Sequence, residues 1–472
     1  MARGILNSVK AGFFAVSAAV IVPVASHAET LADALASAYT HSGLLQQNRA
    51  LLRAADEDVA ATYALLRPVL NWSSTVTQDF GTYSSSSTSG LDVSLDSTEA
   101  FFGLGFELLL YDNGATRFAV DAAKETVLST RQTLVNVEQA ILFEAVQGFM
   151  DVVRDAQIVQ LQQNNLRLVA RELQAAKDRF EVGEVTRTDV ALAEARLAGG
   201  RADLAVAQGN LMQARERFAA ATGHQPGALV APSVAPKTPA SLDDAKAVAI
   251  RSHPLMIKAQ HDITTAEIGV MRARALMGPS VKLQGSYGLT EDFSDPYSTH
   301  AGSVGISATG IIYQGGRQSA LYRQAMANRD ATRAGLHDTR HAIRQQAGNA
   351  WAILSAATAQ LAASGEQIEA SQIAFDGIRE EAKLGSRTTL DVLIAEQDLL
   401  DAKSNRITAQ AAQYSAAYGV LSSMGLLTAD HLNLNVEKYD PVAYYNLVED
   451  APTISSKRGK QLDKVLRAIG KE

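Results

Sequence analysis

The chain contains an internal repeat, and this repeat limits its possible folds more than any other feature of the sequence. A shift of 202 residues places Gly183 on Gly385, within a stretch of 113 positions that needs no gap. Asp189 falls on Asp391 in the same alignment. A shift of 211 residues aligns the preceding segments, the first of which ends at Pro68. We therefore predict two copies of one structural unit, not the two or three unrelated domains that 472 residues would suggest.

The N-terminus is typical of a secretory signal peptide, which we predict over residues 1–28. Arg3 and Lys10 precede an apolar run that extends from Ala11 to Val24, and Ser26-His-Ala28 is a small-residue cleavage site. Its removal would leave 41 basic against 50 acidic residues, a balance unsuited to nucleic acid. The chain has no cysteine, so no disulfide and no lipid-modified cysteine can stabilise or anchor it.

In each half the apolar spacing changes from helical to alternating just after a proline, Pro68 in the first half and Pro279 in the second. This change predicts strands. The strands are expected at about 69–80 and 99–111, and again at about 280–290 and 302–313. Each is about as long as a tilted strand that crosses a bilayer, although a strand pair packed on a soluble core would show the same alternation. The residues predicted to face the membrane are Phe102, Leu104, Phe106, Leu108, Val304 and Ile306.

The remaining sequence in both halves has helical periodicity. A proline-free segment predicts a helix over about 114–181, and a continuous helix of that length would be about 100 Å long. The first half, 29–223, would hold helices at 31–67, 114–181 and 187–221, and the second half, 242–425, would hold helices at 243–278, 316–383 and 389–424.

Two related stretches, 182–194 and 384–396, interrupt the long helical patterns and predict the turns of two helical hairpins. Gly183 and Gly385 can adopt the left-handed conformation that ends a helix. The threonines and the aspartate that follow can cap the next helix. The predicted tip residues are Val182, Gly183, Glu184, Val185, Leu384, Gly385 and Ser386.

Two segments show no repeat. Residues 224–241 contain four of the eleven prolines and are predicted to be a linker between the halves. Residues 426–472 are predicted to be a C-terminal segment with a basic tail, poorly ordered from about residue 450 onward.

Four membrane-length strands cannot close a barrel, because the smallest single-chain barrels have eight strands and open edges are not tolerated in lipid. Several copies must therefore share one barrel. Three copies would supply twelve strands and a ring of helical hairpins. The predicted fold class is thus mainly α with a transmembrane β part, in which two repeats contribute long hairpins to an α-barrel and two β-hairpins to a shared 12-stranded β-barrel of a homotrimer.

This layout, and above all the Gly-x-Arg-Thr-x-x-Asp-Val-Leu form at 385–393, resembles the TolC-like outer-membrane efflux and secretion ducts of Gram-negative bacteria. The resemblance covers residues 29 to about 445 and implies a homotrimer in the outer membrane that extends into the periplasm. It implies as partners outer-membrane lipid, a periplasmic adaptor protein and an inner-membrane transporter, either ABC-type or proton-driven. The aromatic segment 439–445 also resembles the type I protein-secretion branch of the family.

The resemblance assigns a periplasmic gate to the hairpin tips. It gives Arg387 the role of a latch to Thr188 and Asp189 of a neighbouring tip, with Asp391 in the same gate, and makes the tips the contact site for the adaptor. A guanidinium suits such a role because its fork of donors matches carboxylate and hydroxyl acceptors. The alternative is that Arg387 and Asp189 only cap helix ends.

The sequence departs from the family at two positions of the gate. Ala382 stands where well-known members carry an aromatic latch residue, and Ile394 stands where they carry an aspartate ring. We expect a weaker gate and little block by multivalent cations.

A periplasmic coiled-coil scaffold or adaptor without a pore is the alternative. An enzyme is not expected, because the nine histidines form no metal-ligand spacing and no nucleophile elbow or phosphate loop occurs. No cofactor, metal or catalytic residue is predicted.

Overall fold

The computed structural model describes residues 28–84, 92–294 and 297–469, so the predicted signal peptide lies outside it except for Ala28. The first half contains α1 (Leu31–His41), α2 (Gly43–Ala64), β1 (Val69–Ser84), β2 (Asp92–Tyr111), α3 (Ala115–Glu181) and α4 (Arg187–Thr222). The second half contains α5 (Leu242–Ser252), α6 (Pro254–Ala275), β3 (Ser280–Asp292), β4 (Tyr297–Thr309), α7 (Arg317–Lys383) and α8 (Thr389–Ser423). The chain ends with α9 (Ala443–Val448) and α10 (Lys457–Ile469).

The prediction of one continuous helix over 31–67, and of another over 243–278, is wrong. Each is a pair of helices with a break at Ser42 or at His253, which both have extended backbone conformations. The Ser42 hydroxyl accepts a hydrogen bond from the Leu45 N–H at 3.3 Å, which caps α2. Pro254 excludes the helical conformation at His253. The apolar periodicity continues through both breaks and therefore conceals them.

The four strands form one antiparallel sheet in the order β1-β2-β3-β4. Trp72 lies opposite Leu104, which in turn lies opposite Tyr287, so one face of the sheet is apolar across three strands. β1 and β2 extend closer to their connecting loop than predicted, to Ser84 and from Asp92. The strand expected at 302–313 instead spans Tyr297–Thr309. It ends there because its partner strand starts after Pro279, which has no N–H to extend the ladder.

Two long helical hairpins leave the sheet. The first hairpin is α3 with α4, and the second hairpin is α7 with α8. α3 and α7 have 67 residues each, which corresponds to about 100 Å. At the middle of the first hairpin a Cβ on Gly148 would lie 3.3 Å from the Phe218 Cα, so glycine allows the two helices to approach closely.

The main hydrophobic core lies at the middle of the helical part. It includes Leu142, Val146 and Phe149 of α3 together with Phe218 of α4 and Val420 of α8. Toward the turns the core is reduced to small separate clusters. The first hairpin has the cluster of Leu173, Ala176 and Ala193, and the second has the cluster of Phe375, Val392, Ala395 and Leu399, against which Leu168 of α3 also packs. The buried residues of each cluster therefore come from a single hairpin.

The C-terminal segment is not the solvated tail that its basic composition predicts. In α10 the Leu462 side chain is buried against Ala60 of α2 and against α9. The Tyr444 hydroxyl donates a hydrogen bond to Glu57 Oε1 at 2.7 Å. The Arg49 guanidinium lies over the Tyr439 ring, 5.1 Å from its centroid. Aromatic and apolar contacts with α2 therefore hold this segment in place.

Among the described residues, none of the helices carries a stretch of apolar sequence long enough for a membrane span.

Candidate functional site: the hairpin tips

The first tip, residues 182–186, has a glycine that ends α3 and a capping box that begins α4. Gly183 has φ +81°, the left-handed conformation that the sequence predicted. The Glu184 N–H donates to the Arg179 carbonyl at 2.9 Å and closes the turn. The Asp189 carboxylate accepts from the Thr186 N–H at 2.9 Å, and the Asp189 N–H donates to the Thr186 hydroxyl. The prediction of a glycine turn followed by a polar cap is confirmed.

The second tip, residues 384–388, repeats this geometry. Gly385 has φ +78°, and the Ser386 N–H donates to the Glu381 carbonyl at 3.0 Å. Asp391 and Thr388 form the capping box of α8, with the Thr388 N–H 2.9 Å from Asp391 Oδ2. In both tips the hydrogen bonds that the carboxylate accepts lower its pKa, at Asp189 chiefly through the Thr186 hydroxyl and at Asp391 chiefly through the Thr388 N–H.

Arg387 differs from every residue of the first tip. Its Nε donates to Glu381 Oε2 at 2.8 Å, an ion pair across the turn of its own hairpin. This hydrogen bond raises the already high pKa of Arg387. Within the described part of this single chain Arg387 makes no hydrogen bond to Thr188 or Asp189. Arg387 belongs to the second tip, whereas Thr188 and Asp189 belong to the first. A latch between them would therefore have to join two neighbouring hairpins.

The tips are exposed, including their apolar residues. Val182 is 70 % exposed and Leu384 is 85 % exposed, although both are aliphatic. Val185 is half-buried, whereas Gly183, Glu184, Gly385 and Ser386 are exposed. Exposed aliphatic side chains at the end of a long helical hairpin are a feature of contact surfaces.

The two departures from the family pattern lie just behind the second tip. Ala382 is half-buried and packs against the cluster around Phe375. Ile394 is half exposed and faces an open cleft of about 430 Å³ between α4 and α8, which Leu192 and Leu390 also line. The position expected to form an acidic ring in relatives is thus an apolar wall in this chain.

A group of charged residues behind the tips was missed by the sequence analysis. Glu172 of α3 and Arg379 of α7 form an ion pair between the hairpins, with Arg379 Nη2 3.6 Å from Glu172 Oε1. Glu396 of α8 is buried beside them. The sequence did contain one signal for this group, because the repeat aligns Glu396 with Glu194, so both hairpins carry a glutamate at the same position. The burial of Glu396 by three other helices could not be inferred from the periodicity of one helix.

At the opposite end of the molecule, the sheet separates apolar from polar side chains. Phe102, Leu104, Val304 and Ile306 are exposed on the apolar face, and Phe106 and Leu108 are half-buried. Trp72 and Phe102 are in tilted ring contact, with centroids 6.3 Å apart. The other face is small and polar, as between Ser286 and Ser303, whose hydroxyls are 2.9 Å apart.

One aromatic residue on the polar face was not anticipated. The Phe101 ring lies over Gly103 and Gly288, where a Cβ on either glycine would come within 2.4 Å of it. The two glycines therefore provide the space that this ring occupies.

No group of three or more potential metal ligands occurs in the part of the chain that the structure describes. The arrangement of the site offers two exposed tips, a sheet with one apolar face and a long helical body between them.

A four-stranded antiparallel sheet joined to two long helical hairpins is the fold of an outer-membrane channel protein. The crystal structure of the Campylobacter jejuni CmeC outer membrane channel has this fold, with a TM-score of 0.75, 14 % sequence identity and coverage of 90 % of each chain. Residues 34–224 and 247–426 match the sequence family described as "Outer membrane efflux protein". The chain belongs to the outer membrane efflux protein family.

Individual relatives support this assignment. The outer membrane efflux protein BepC of Brucella suis is 33 % identical over 436 residues, which cover 92 % of this chain and 93 % of BepC. The outer membrane protein TolC of Vibrio cholerae is 25 % identical over 361 residues, 69 % of this chain and 78 % of TolC. The resemblance to TolC-like ducts, the fold of two structural repeats and the outer-membrane location are thus confirmed.

Proposed function

We propose that this outer membrane efflux protein is a homotrimeric exit duct of a tripartite export machine, with the helical tips as its periplasmic gate. Each chain would contribute four strands to a shared 12-stranded barrel and two hairpins to a helical tube. The family consists of channel proteins, which supports conduction rather than catalysis.

The observation that carries this proposal is the pair of open edges of the sheet. β1 and β4 each have one neighbour among the described strands, and the apolar face beside them is exposed. An open edge cannot remain in lipid because its N–H and C=O groups would have no partners. Pairing of β1 of one copy with β4 of the next satisfies both edges, and three copies close a barrel of ordinary size.

A gate at the tips is compatible with the helix caps found there. The cap of α4 uses Oδ2 of Asp189 for the bonds from Thr186, and Arg387 binds Glu381 through Nε. The Asp189 Oδ1 and the two Arg387 amino groups point to a second use, a contact between neighbouring tips in the trimer. Cap and latch are therefore not exclusive alternatives. A solvent-exposed latch of this kind is weak, so a docking partner could open it.

The partners of the proposed duct follow from its two ends. The exposed Val182 and Leu384 fit contact with a periplasmic adaptor, which would link the duct to an inner-membrane transporter of the ABC or proton-driven kind. The apolar face of the sheet fits outer-membrane lipid. The duct would serve type I protein secretion, multidrug efflux or both, since the transporter selects the substrate.

Fractionation of cells that express the full chain, with its predicted signal peptide, tests the proposal. We expect the protein in the outer membrane as a heat-modifiable oligomer, and purified protein should insert into planar bilayers as a conducting pore. Release with the periplasmic fraction and no conductance would instead support a scaffold without a pore.

The substrate class is tested in a deletion strain. Increased sensitivity to antibiotics with an unchanged set of secreted proteins indicates drug efflux. Loss of a secreted protein with unchanged sensitivity indicates type I secretion.

A further inference from the structure

Behind the tips, the two hairpins carry a basic and an acidic residue at equivalent positions of the repeat, but these residues form an ion pair with each other only in the first hairpin. In the first hairpin, Lys177 of α3 and Glu194 of α4 form an ion pair, with Nζ 3.0 Å from Oε1. Both side chains are about half exposed. The shift of 202 residues places Lys177 on Arg379 and Glu194 on Glu396. The second hairpin therefore contains the residues for the same pair.

That second pair is not formed. Arg379 instead reaches out of its own hairpin to Glu172 on α3, at 3.6 Å. Glu396 is only 3 % exposed, and within the described residues neither of its carboxyl oxygens has a hydrogen-bond partner. Burial of a carboxyl group without a hydrogen-bond partner costs free energy and is uncommon in proteins. The position of Glu396 between the two hairpins therefore requires an explanation.

The surroundings of Glu396 contain charges from each of the other three long helices. Glu172 faces it from α3, Arg196 from α4 and Arg379 from α7. Burial, followed by the repulsion of Glu172, raises the pKa of Glu396 to about 7, and the two arginines act in the opposite direction. Nη2 of Arg196 is itself buried without a partner in the described chain.

We propose that Arg379 exchanges partners when the hairpins move. With the hairpins packed together, it pairs with Glu172 and ties the second hairpin to the first. When the tips separate, it pairs with Glu396 inside its own hairpin, in the geometry that Lys177 and Glu194 already show in the first hairpin. This inference rests on the proposed gate, and it makes Glu172, Arg379 and Glu396 positioning residues for that gate.

The exchange explains how two arrangements could have similar free energies. Each contains one arginine–carboxylate pair, so opening breaks one ion pair and forms another. The four buried residues Phe375, Val392, Ala395 and Leu399 all belong to the second hairpin, so separation of the hairpins would remove only the contact that Leu168 of α3 makes with this cluster. The hairpin can then move as a unit, which is the behaviour of a two-state element.

The exchange also determines the direction of a pH effect. Glu396 holds its proton in the packed arrangement below about pH 7 and loses it when it pairs with Arg379. The separated arrangement thus binds fewer protons, and a rise in pH through about 7 favours it. One linked proton changes the equilibrium of each protomer by at most about tenfold per pH unit.

Single-channel recordings of purified protein in planar bilayers test the exchange. We expect the open probability of the wild-type protein to rise severalfold between about pH 6 and about pH 8. Glu396→Gln should remove this rise and keep the open probability low at both pH values, because Arg379 loses its partner in the open state. Glu172→Gln should raise the open probability at the lower pH, because Arg379 loses its partner in the closed state.

The first hairpin provides the matched control. Glu194→Gln removes the equivalent carboxylate from an exposed pair and should leave the pH profile unchanged. Opposite shifts for the variants at Glu172 and Glu396 support the exchange, since a merely structural role would loosen the gate in both. A flat wild-type profile, or shifts in the same direction, would overturn it while leaving the pore itself intact. A protein that forms no pore would overturn the proposed duct as well.

Discussion

Arg387 donates from Nε to Glu381 Oε2 at 2.8 Å and so closes the turn of its own hairpin with an ion pair. The equivalent position in the first tip is Val185, which cannot form such a contact. The two tips thus share their backbone and capping geometry and differ in their charged side chains. A latch between unlike tips depends on that difference.

Replacing Arg387 by serine is expected to leave the oligomer assembled and make the duct leakier. The ion pair with Glu381 and the proposed contact with Asp189 of a neighbouring tip would both be lost. The effect should stay below about tenfold in open probability, because exposed ion pairs are weak. Conductance in bilayers and uptake of a large antibiotic measure it.

The arginine of the first tip serves as a control for that variant. Arg187 is exposed at the start of α4, and Arg187→Ser removes the same charge from a position with no assigned latch role. Equal leakage from both variants would contradict a specific latch at Arg387.

Gly183→Ala is expected to destabilise the first turn by about 1–2 kcal/mol, because an L-residue is strained in the left-handed conformation. A Cβ at this position would meet no atom within 4 Å, so packing does not contribute. Amide hydrogen exchange over residues 180–190 should become faster. Gly199→Ala, at an equally open site within α4, should not increase exchange, since alanine favours helix over glycine by up to about 1 kcal/mol.

Ile394 is expected to make the duct insensitive to multivalent cations. Its side chain presents an apolar surface to the cleft between α4 and α8, where an aspartate would present a carboxylate in each protomer. Conductance should therefore change little when a trivalent cation is added, and Ile394→Asp should introduce block that high salt relieves. Strong block of the wild-type protein at low cation concentration would contradict this prediction.

Asp56 is expected to make stability fall as pH rises. It is fully buried in α2, its carboxyl oxygens have no partner among the described residues, and burial raises its pKa to about 6 despite the opposing charge of Arg131. The folded state binds the proton more tightly than the unfolded state, so this stabilisation is complete below about pH 4 and is lost as pH rises through about 6.

Asp56→Asn should accordingly stabilise the protein by about 1–3 kcal/mol above that range and have little effect below it. Thermal unfolding followed by circular dichroism at about pH 4.5 and about pH 7.5 measures the difference. Asp58→Asn, on the exposed side of the same helix, is the control. An equal shift of the unfolding temperature at both pH values would contradict the assignment.

Much of the fold could be predicted because its signals are local. The left-handed glycines at 183 and 385 and the capping boxes that follow them depend on a few consecutive residues. The long helices and the sheet faces depend on periodicities that repeat over many residues. The internal repeat allowed each local prediction to be made twice.

The predictions that were wrong concern features that no local sequence signal marks. The breaks at Ser42 and His253 interrupt apolar patterns that continue on both sides. The basic composition of the C-terminal segment predicts a solvated tail, whereas Leu462 is in fact buried against Ala60, a residue some four hundred positions away. Contacts between such distant segments leave no trace in the periodicity of either one.

The sequence by itself determined the doubled architecture, the lengths of the hairpins, the positions of their turns and the family of the protein. Only the tertiary structure decided which partners the charged residues behind the tips would take. Lys177 and Arg379 occupy equivalent positions in the repeat, yet one pairs within its hairpin and the other crosses to Glu172. The physical reason is that an ion pair depends on the distance between helices, and the two copies of the hairpin, although alike in sequence pattern, have different neighbours in space.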